Sequence, residues 1–376
     1  MSWIDVTYRI CAARDQLEGI AHALALEQSV EVSAEVVTDP FVAENIMGRV
    51  AEVHPSDNGP HRVVIRLAMA TTGFDVAQTV NMLFGNSSLH AHVELVDVEF
   101  PPEFLARFSG PRYGIDGIRR RLQATPRPLT CAALKPQGLS SEALANLCYT
   151  LALNGVDIVK DDHGLADQSY SPFAKRVGAC QRAIGRANRE TGRASIYAPS
   201  LVGPPRALVA QAHIARQEGV GALLLAPALI GMPAFNELVA ENIDVPVIAH
   251  PAYAGAVRVA PALLLGRLFR WLGADAVIFP NFGGRFAYSR EVCAQIANNN
   301  RCNWAGYAPT LPVPAGGLTM DRVTELVEFY GPDVMLLIGG ALLAPADRLA
   351  ERTRIFVAAM EAAHADSNAA RHAALS

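Results

Sequence analysis

The chain has 376 residues, 51% of them hydrophobic and 18% charged, and a formal net charge of −4. That balance supplies ample material for a buried core and leaves no basic block to make a nucleic acid a main partner. No apolar run approaches the ~20 residues of a membrane span, because Gly266, Arg267 and Arg270 interrupt the Leu-rich stretch 261–272. No charged-then-apolar leader opens the chain, and six scattered cysteines without CxxC pairs read as reduced thiols, so a cytoplasmic protein with no membrane partner is expected.

In chain order, alternating runs at 5–11, 30–38, 62–68 and 92–98 predict strands, and 14–27, 39–49 and 75–84 predict helices. This pattern gives a small α+β (ferredoxin-like) domain with an antiparallel sheet over residues 1–125. The Arg- and Pro-rich stretch 119–128 reads as its connection to a second domain, 126–376. From Thr130 onward, short β-type runs at 130–135, 157–161, 194–199, 222–227, 245–250, 275–280, 309–314 and 334–339 alternate with amphipathic stretches. The latter include 141–153, 172–190, 205–217, 260–272, 288–298 and 319–330. Caps such as Ser140 and terminal glycines such as Gly219 and Gly331 punctuate the helices. Eight strand–helix units of this spacing predict an α/β fold, a (β/α)8 TIM barrel. The Ala-rich tail after 364 is expected to fray.

A parallel barrel carries its chemistry at the C-terminal ends of its strands. Residues 157–163, Asp-Ile-Val-Lys-Asp-Asp-His, end the second strand in a burst of ionisable groups. A protonated Lys160 repels a cation. If CO2 converts it to a carbamate, Lys160, Asp162 and His163 form a set of donors for a hard divalent metal. The alternative is a solvated cluster in a loop. Lys135 ends the first strand in Ala-Leu-Lys-Pro and is a candidate for proton transfer, or else a structural lysine paired across the rim. His250 ends the fifth strand and is a candidate acid, base or substrate contact, or a satisfied core histidine. Gly316 and Gly317 follow the seventh strand, and Gly339 and Gly340 follow the eighth. Their backbone N–H groups suit a phosphate, in the two loops where barrels usually bind one. Loop six, Asn281-Phe282-Gly283-Gly284-Arg285-Phe286, carries a flexible glycine pair and an arginine able to close over an anion, with a surface turn as the alternative.

Leu134-Lys135-Pro136, Gly155-Val156-Asp157-Ile158-Val159-Lys160-Asp161-Asp162, Pro314-Ala315-Gly316-Gly317 and Ile338-Gly339-Gly340 resemble the large subunit of ribulose bisphosphate carboxylase (RuBisCO). More narrowly, the chain resembles the RuBisCO-like proteins, which share the fold without that carboxylation. Gly85-Asn86 and Glu27 extend the resemblance through the N-terminal part. The resemblance implies Mg2+ with CO2 as a carbamate on Lys160, Asp162 as a metal ligand and Lys135 as the proton-transfer lysine. It also implies Glu27 and Asn86 supplied by a partner subunit, in a homodimer or an assembly of dimers.

Departures narrow this reading. His163 stands in place of the family's glutamate, Gln137 in place of a second strand-one lysine, and Pro251 in place of an arginine. Phe279 or Pro280 replaces a histidine, Arg285 replaces the loop-six lysine, and Ala315 replaces a serine. The distal phosphate site is dismantled, so the substrate expected is a phosphorylated sugar acid with one phosphate. The 279–286 run with Lys-Asp-Asp-His resembles the RuBisCO-like proteins of apiose catabolism. That implies a carbon–carbon lyase decarboxylating 3-oxo-isoapionate 4-phosphate, or transcarboxylating and hydrolysing it. Lys135 would then protonate the enediolate, with His250 and Arg285 orienting the acidic group. The alternatives are an isomerase or enolase of a methylthio-pentulose phosphate, and a non-catalytic sugar-phosphate binder.

Overall fold

The computed structural model describes residues 2–286, 288–344 and 346–375. The chain divides into two units, Met1–Ser109 with Tyr253–Leu264, and Gly110–Ala252 with Leu265–Ser376.

The first unit holds a four-stranded antiparallel sheet of β1 (Trp3–Ile10), β2 (Arg49–His54), β3 (His61–Ala68) and β4 (Val93–Glu99), in the order β2-β3-β1-β4. Alternation on β1 and β3 buries Val6, Tyr8, Val63 and Ile65, and the Tyr8 hydroxyl donates to Leu83 O at 2.6 Å. The strand expected at 30–38 is absent. Backbone N–H groups of Ser29, Val30 and Glu31 all donate to Leu26 O, and Glu31 takes φ 55°, which turns the chain out of the helix Leu17–Glu27 and away from the sheet. Only a 3-10 turn, Ala34–Val36, follows. The helix expected at 39–49 stops at Asn45, and β2, an edge strand with little apolar alternation, was not foreseen. Residues 253–264 belong here because Leu95 N donates to Arg258 O and Ala260 N to Leu95 O, alongside β4.

The second unit is the predicted barrel. Its strands are β5 (Leu129–Leu134), β6 (Ile158–Asp161), β7 (Ile196–Ala198), β8 (Leu223–Leu225), β9 (Val247–Ala249), β10 (Ala276–Pro280), β11 (Leu311–Ala315) and β12 (Met335–Ile338). They form two parallel arcs, β12-β5-β6-β7 and β8-β9-β10-β11. A bridge between Ser200 and Leu224 joins β7 to β8, and β11 lies beside β12. The strands are almost wholly buried and, apart from Thr130, Lys160 and Asp161, apolar, as parallel strands covered by helices tend to be. The helix Met232–Glu241, whose bounds were not named from the sequence, fills the connection after β8, and the C-terminal helix runs on from Leu349 to Leu375.

The first unit ends at Ser109 rather than at 125. The helix Gly114–Leu122 runs into the start of the stretch 119–128 read as connection, and it buries Ile115, Ile118 and Leu122 in the barrel core with Leu129, Ile248 and Leu311. Asp275 fixes its start, accepting from Tyr113 N at 2.6 Å and Gly114 N at 2.7 Å. All six cysteines are free thiols, and among the described residues no helix is long and apolar enough to cross a membrane.

Candidate active site at the barrel mouth

The end of β6 sorts its charges by alternation. Lys160 is 1% exposed, its Nζ donates to Asp161 O at 2.9 Å, and burial pushes its ammonium pKa below the ordinary value. Asp161 turns away from its neighbours into a buried network, accepting from Arg176 Nε at 3.0 Å, Tyr197 Oη at 2.7 Å and Ser200 N at 3.1 Å. Arg176, also fully buried, donates to Ser171 O and Ala166 O, which ties the loop after β6 to the helix Phe173–Thr191. The two adjacent aspartates therefore do different things: Asp161 holds the strand end in place, and Asp162 faces the ionisable cluster.

Asp162 meets two of the sequence-predicted partners through one oxygen. Its Oδ1 lies 2.6 Å from Lys135 Nζ and 3.4 Å from His163 Nδ1. Burial works to raise this carboxyl, but His163, Lys135 and the nearby Lys160 charge hold it well below the usual carboxylate range. His163 stacks on His250, with ring centroids 4.1 Å apart and an interplanar angle of 15°. His250 Nδ1 accepts from Ala252 N at 3.0 Å, and burial, with the Lys160 and His163 charges, pushes its pKa well down. The neutral ring therefore carries its proton on Nε2. Lys135 also borders β12: a Cβ on Gly339 would meet Lys135 Cε at 3.8 Å.

The donor set suits a hard divalent ion. Two ligands at about 2.1 Å in cis stand roughly 3 Å apart, and Asp162 Oδ1 and His163 Nδ1 are 3.4 Å apart. Among the described residues no three His, Cys, Asp or Glu side chains could hold a metal. A third protein ligand, if a metal binds, would be Lys160 as its carbamate, and burial of its ammonium favours the neutral amine that adds CO2.

The glycines of loop seven meet loop six. Gly316 and Gly317 take φ 87° and 103°. Gly316 O accepts from Arg285 N at 2.8 Å, and a Cβ on Gly316 would come within 3.1 Å of the Phe286 ring. Arg285 is exposed, its guanidinium 5.6 Å from the Phe286 centroid. Gly340 opens a short helix, Gly340–Leu343. In the first unit, Asn86 Nδ2 donates to Glu27 Oε1 at 2.9 Å. That pair rests on a clasp sequence reasoning missed: buried Gln28 accepts from Ser87 Oγ at 2.6 Å and donates to Met82 O at 2.7 Å. Gln137 lies across Gly164, where a Cβ would sit 1.6 Å from Gln137 Nε2.

A parallel eight-stranded barrel with lysine, carboxylate and imidazole converging at its strand ends has the layout of a barrel enzyme. Residues 114–284 match the model of the ribulose bisphosphate carboxylase large chain, catalytic domain. The ribulose bisphosphate carboxylase-like protein 1 of Rhodopseudomonas palustris is 49% identical over 355 residues, covering 94% of this chain and 96% of that one. The 5-methylthioribulose-1-phosphate isomerase of Rhodospirillum rubrum is 46% identical over 358 residues, covering 95% and 96%. The crystal structure of a Rubisco-like protein from Rhodopseudomonas palustris superposes with a TM-score of 0.89 at 46% identity, covering 96% and 98%. The chain belongs to the RuBisCO-like protein family.

Proposed function

We propose that this protein is a divalent-metal-dependent isomerase or enolase of a methylthio-pentulose phosphate, with 5-methylthioribulose 1-phosphate as substrate. The observation that carries this reading is the 46% identity, over 95% of the chain, to an isomerase of that name. The expectation of a lyase acting on 3-oxo-isoapionate 4-phosphate has no counterpart among the relatives described above, and the isomerase alternative does.

Moving a carbonyl along a sugar requires a proton to leave the carbon beside the ketone and return to a neighbouring atom. Mg2+ held by the Lys160 carbamate, Asp162 and His163 would supply Lewis-acid polarisation of the ketone. Lys135 Nζ, as the neutral amine, takes the proton that leaves carbon, Asp162 Oδ1 at 2.6 Å accepts a hydrogen bond from the ammonium so formed, and Lys135 then returns the proton to the neighbouring atom. His250, neutral with its proton on Nε2, donates that N–H to a substrate oxygen. The backbone of Gly316, Gly317, Gly339 and Gly340 holds the phosphate, with Arg285 as its counter-charge. Glu27 and Asn86, already paired with each other, come from a second copy, so the working unit is a homodimer or an assembly of dimers.

The test is a 13C and 1H NMR time course in 2H2O with 5-methylthioribulose 1-phosphate, Mg2+ and bicarbonate. A new methylthio-ketose phosphate carrying solvent deuterium is the expected product. No conversion by protein shown to hold metal overturns the reading. CO2 release from 3-oxo-isoapionate 4-phosphate under the same conditions would restore the lyase, and inertness toward both would leave a sugar-phosphate binder.

A further inference from the structure

Loop six is tied to its surroundings at most of its residues. Its first residue, Asn281, is wholly buried: its N–H donates to Ala315 O at 2.9 Å, and its Oδ1 accepts from the Tyr330 hydroxyl at 2.6 Å. Burial raises the Tyr330 pKa, so this hydroxyl stays a donor. The guanidinium groups of Arg290 and Arg322 each lie 5.0 Å from the Phe282 ring centroid, and Arg322 also donates to Phe282 O at 2.8 Å. The loop then folds on itself and onto its neighbour: Gly284 N donates to Asn281 O, and Arg285 N to Gly316 O at 2.8 Å.

The glycines that read as hinges in the sequence serve this packing. A Cβ on Gly283 would meet Arg322 Nη1 at 2.8 Å, and one on Gly284 would meet Gly316 O at 2.4 Å. On the facing side, a Cβ on Gly317 would meet Arg285 N and Cγ at 3.0 Å. Glycines used in this way allow two backbones to approach closely.

We infer that loop six is seated on loop seven before any ligand arrives, and that Tyr330 is the positioning residue that keeps it there, presenting Arg285 beside the Gly316–Gly317 turn without lid closure. The seating stands on these contacts alone; what Arg285 meets there, a phosphate monoester, rests on the function proposed above.

Hydrogen exchange by mass spectrometry over 281–286 tests the inference on the intact protein. The Gly284 and Arg285 amides should be protected in the ligand-free protein and change little when 5-methylthioribulose 1-phosphate or inorganic phosphate is added. Tyr330→Phe should speed their exchange by about tenfold and raise KM by about fivefold with kcat nearly unchanged, as expected for the loss of one buried hydrogen bond acting on binding. Fast exchange in the ligand-free protein that slows only with a ligand would make loop six a lid and overturn the inference. Unchanged exchange in Tyr330→Phe would remove Tyr330 from the role. If that variant does not fold, Arg322→Gln carries the same expectation through Phe282. A protein inert toward the sugar phosphate would refute the function while leaving the exchange result to decide the seating.

Discussion

Replacing Lys135 by methionine should separate metal affinity from turnover and move them in opposite directions. Lys135 Nζ lies 2.6 Å from Asp162 Oδ1, with side-chain exposures of 36% and 8%. Without metal, this ammonium is the counter-charge of the carboxylate that an incoming divalent ion must use. A hydrogen bond to a charged partner is worth roughly 1.5–3 kcal/mol, and the partial exposure of the lysine favours the lower end. About 1.5 kcal/mol corresponds to about tenfold in affinity. Lys135→Met should therefore bind Mn2+ or Mg2+ about tenfold more tightly in bicarbonate buffer, read by isothermal titration calorimetry. Its kcat should fall by a factor of about 10² or more if Lys135 moves the proton. Equal or weaker metal binding would show that the lysine does not compete for Asp162. Normal turnover would remove it from proton transfer.

Three further outcomes follow from the same contacts. The unfolded chain protonates His250 near its ordinary value of about 6.5, whereas the folded chain resists, so the unfolded state binds more protons and stability falls as pH drops, by up to about 1.4 kcal/mol per unit. Urea midpoints between pH 7.5 and 5.5 should fall less steeply in His250→Phe, and identical slopes would contradict a neutral buried imidazole. Arg176→Met strands the buried Asp161 carboxylate and should cost about 3–5 kcal/mol; a loss under about 1 kcal/mol in urea unfolding would mean the network does not hold β6. Mixed dimers of Glu27→Ala and Lys160→Ala subunits should recover about a quarter of wild-type activity, because one of two sites is then intact in half the dimers; no recovery would place Glu27 in the site of its own chain.

The barrel was legible because buried parallel strands need only a residue class, short and apolar, between helical periods. The N-terminal sheet was less so. The 30–38 run alternates well, yet hydrogen bonds at the end of the preceding helix turn it away, and β2 is an edge strand that buries too little to show a pattern. Arg176 carried a signal that went unused. It falls on the same helical face as Phe173, Val177 and Cys180, all buried, and an arginine on such a face requires a buried partner.

Within the candidate site, legibility follows strand order. Barrel closure makes β12, β5 and β6 neighbours, so the meeting of Lys135 with Asp162 and Gly339 could be derived once the strands were placed. His163 and His250 follow β6 and β9, three strands apart. Their stack at 4.1 Å depends on how two loops cross the mouth, and no periodicity in either loop encodes that. Loop six is hard to read for a related reason. A Gly-Gly pair looks the same in sequence whether it frees a hinge or lets two backbones touch, and only the Gly316 carbonyl, 2.4 Å from where a Gly284 Cβ would stand, decides between them. The substrate was hidden more deeply still. In the mechanisms proposed, isomerase and lyase would call on Lys160, Asp162 and Lys135 alike, so the residues easiest to read are those that cannot tell the two reactions apart.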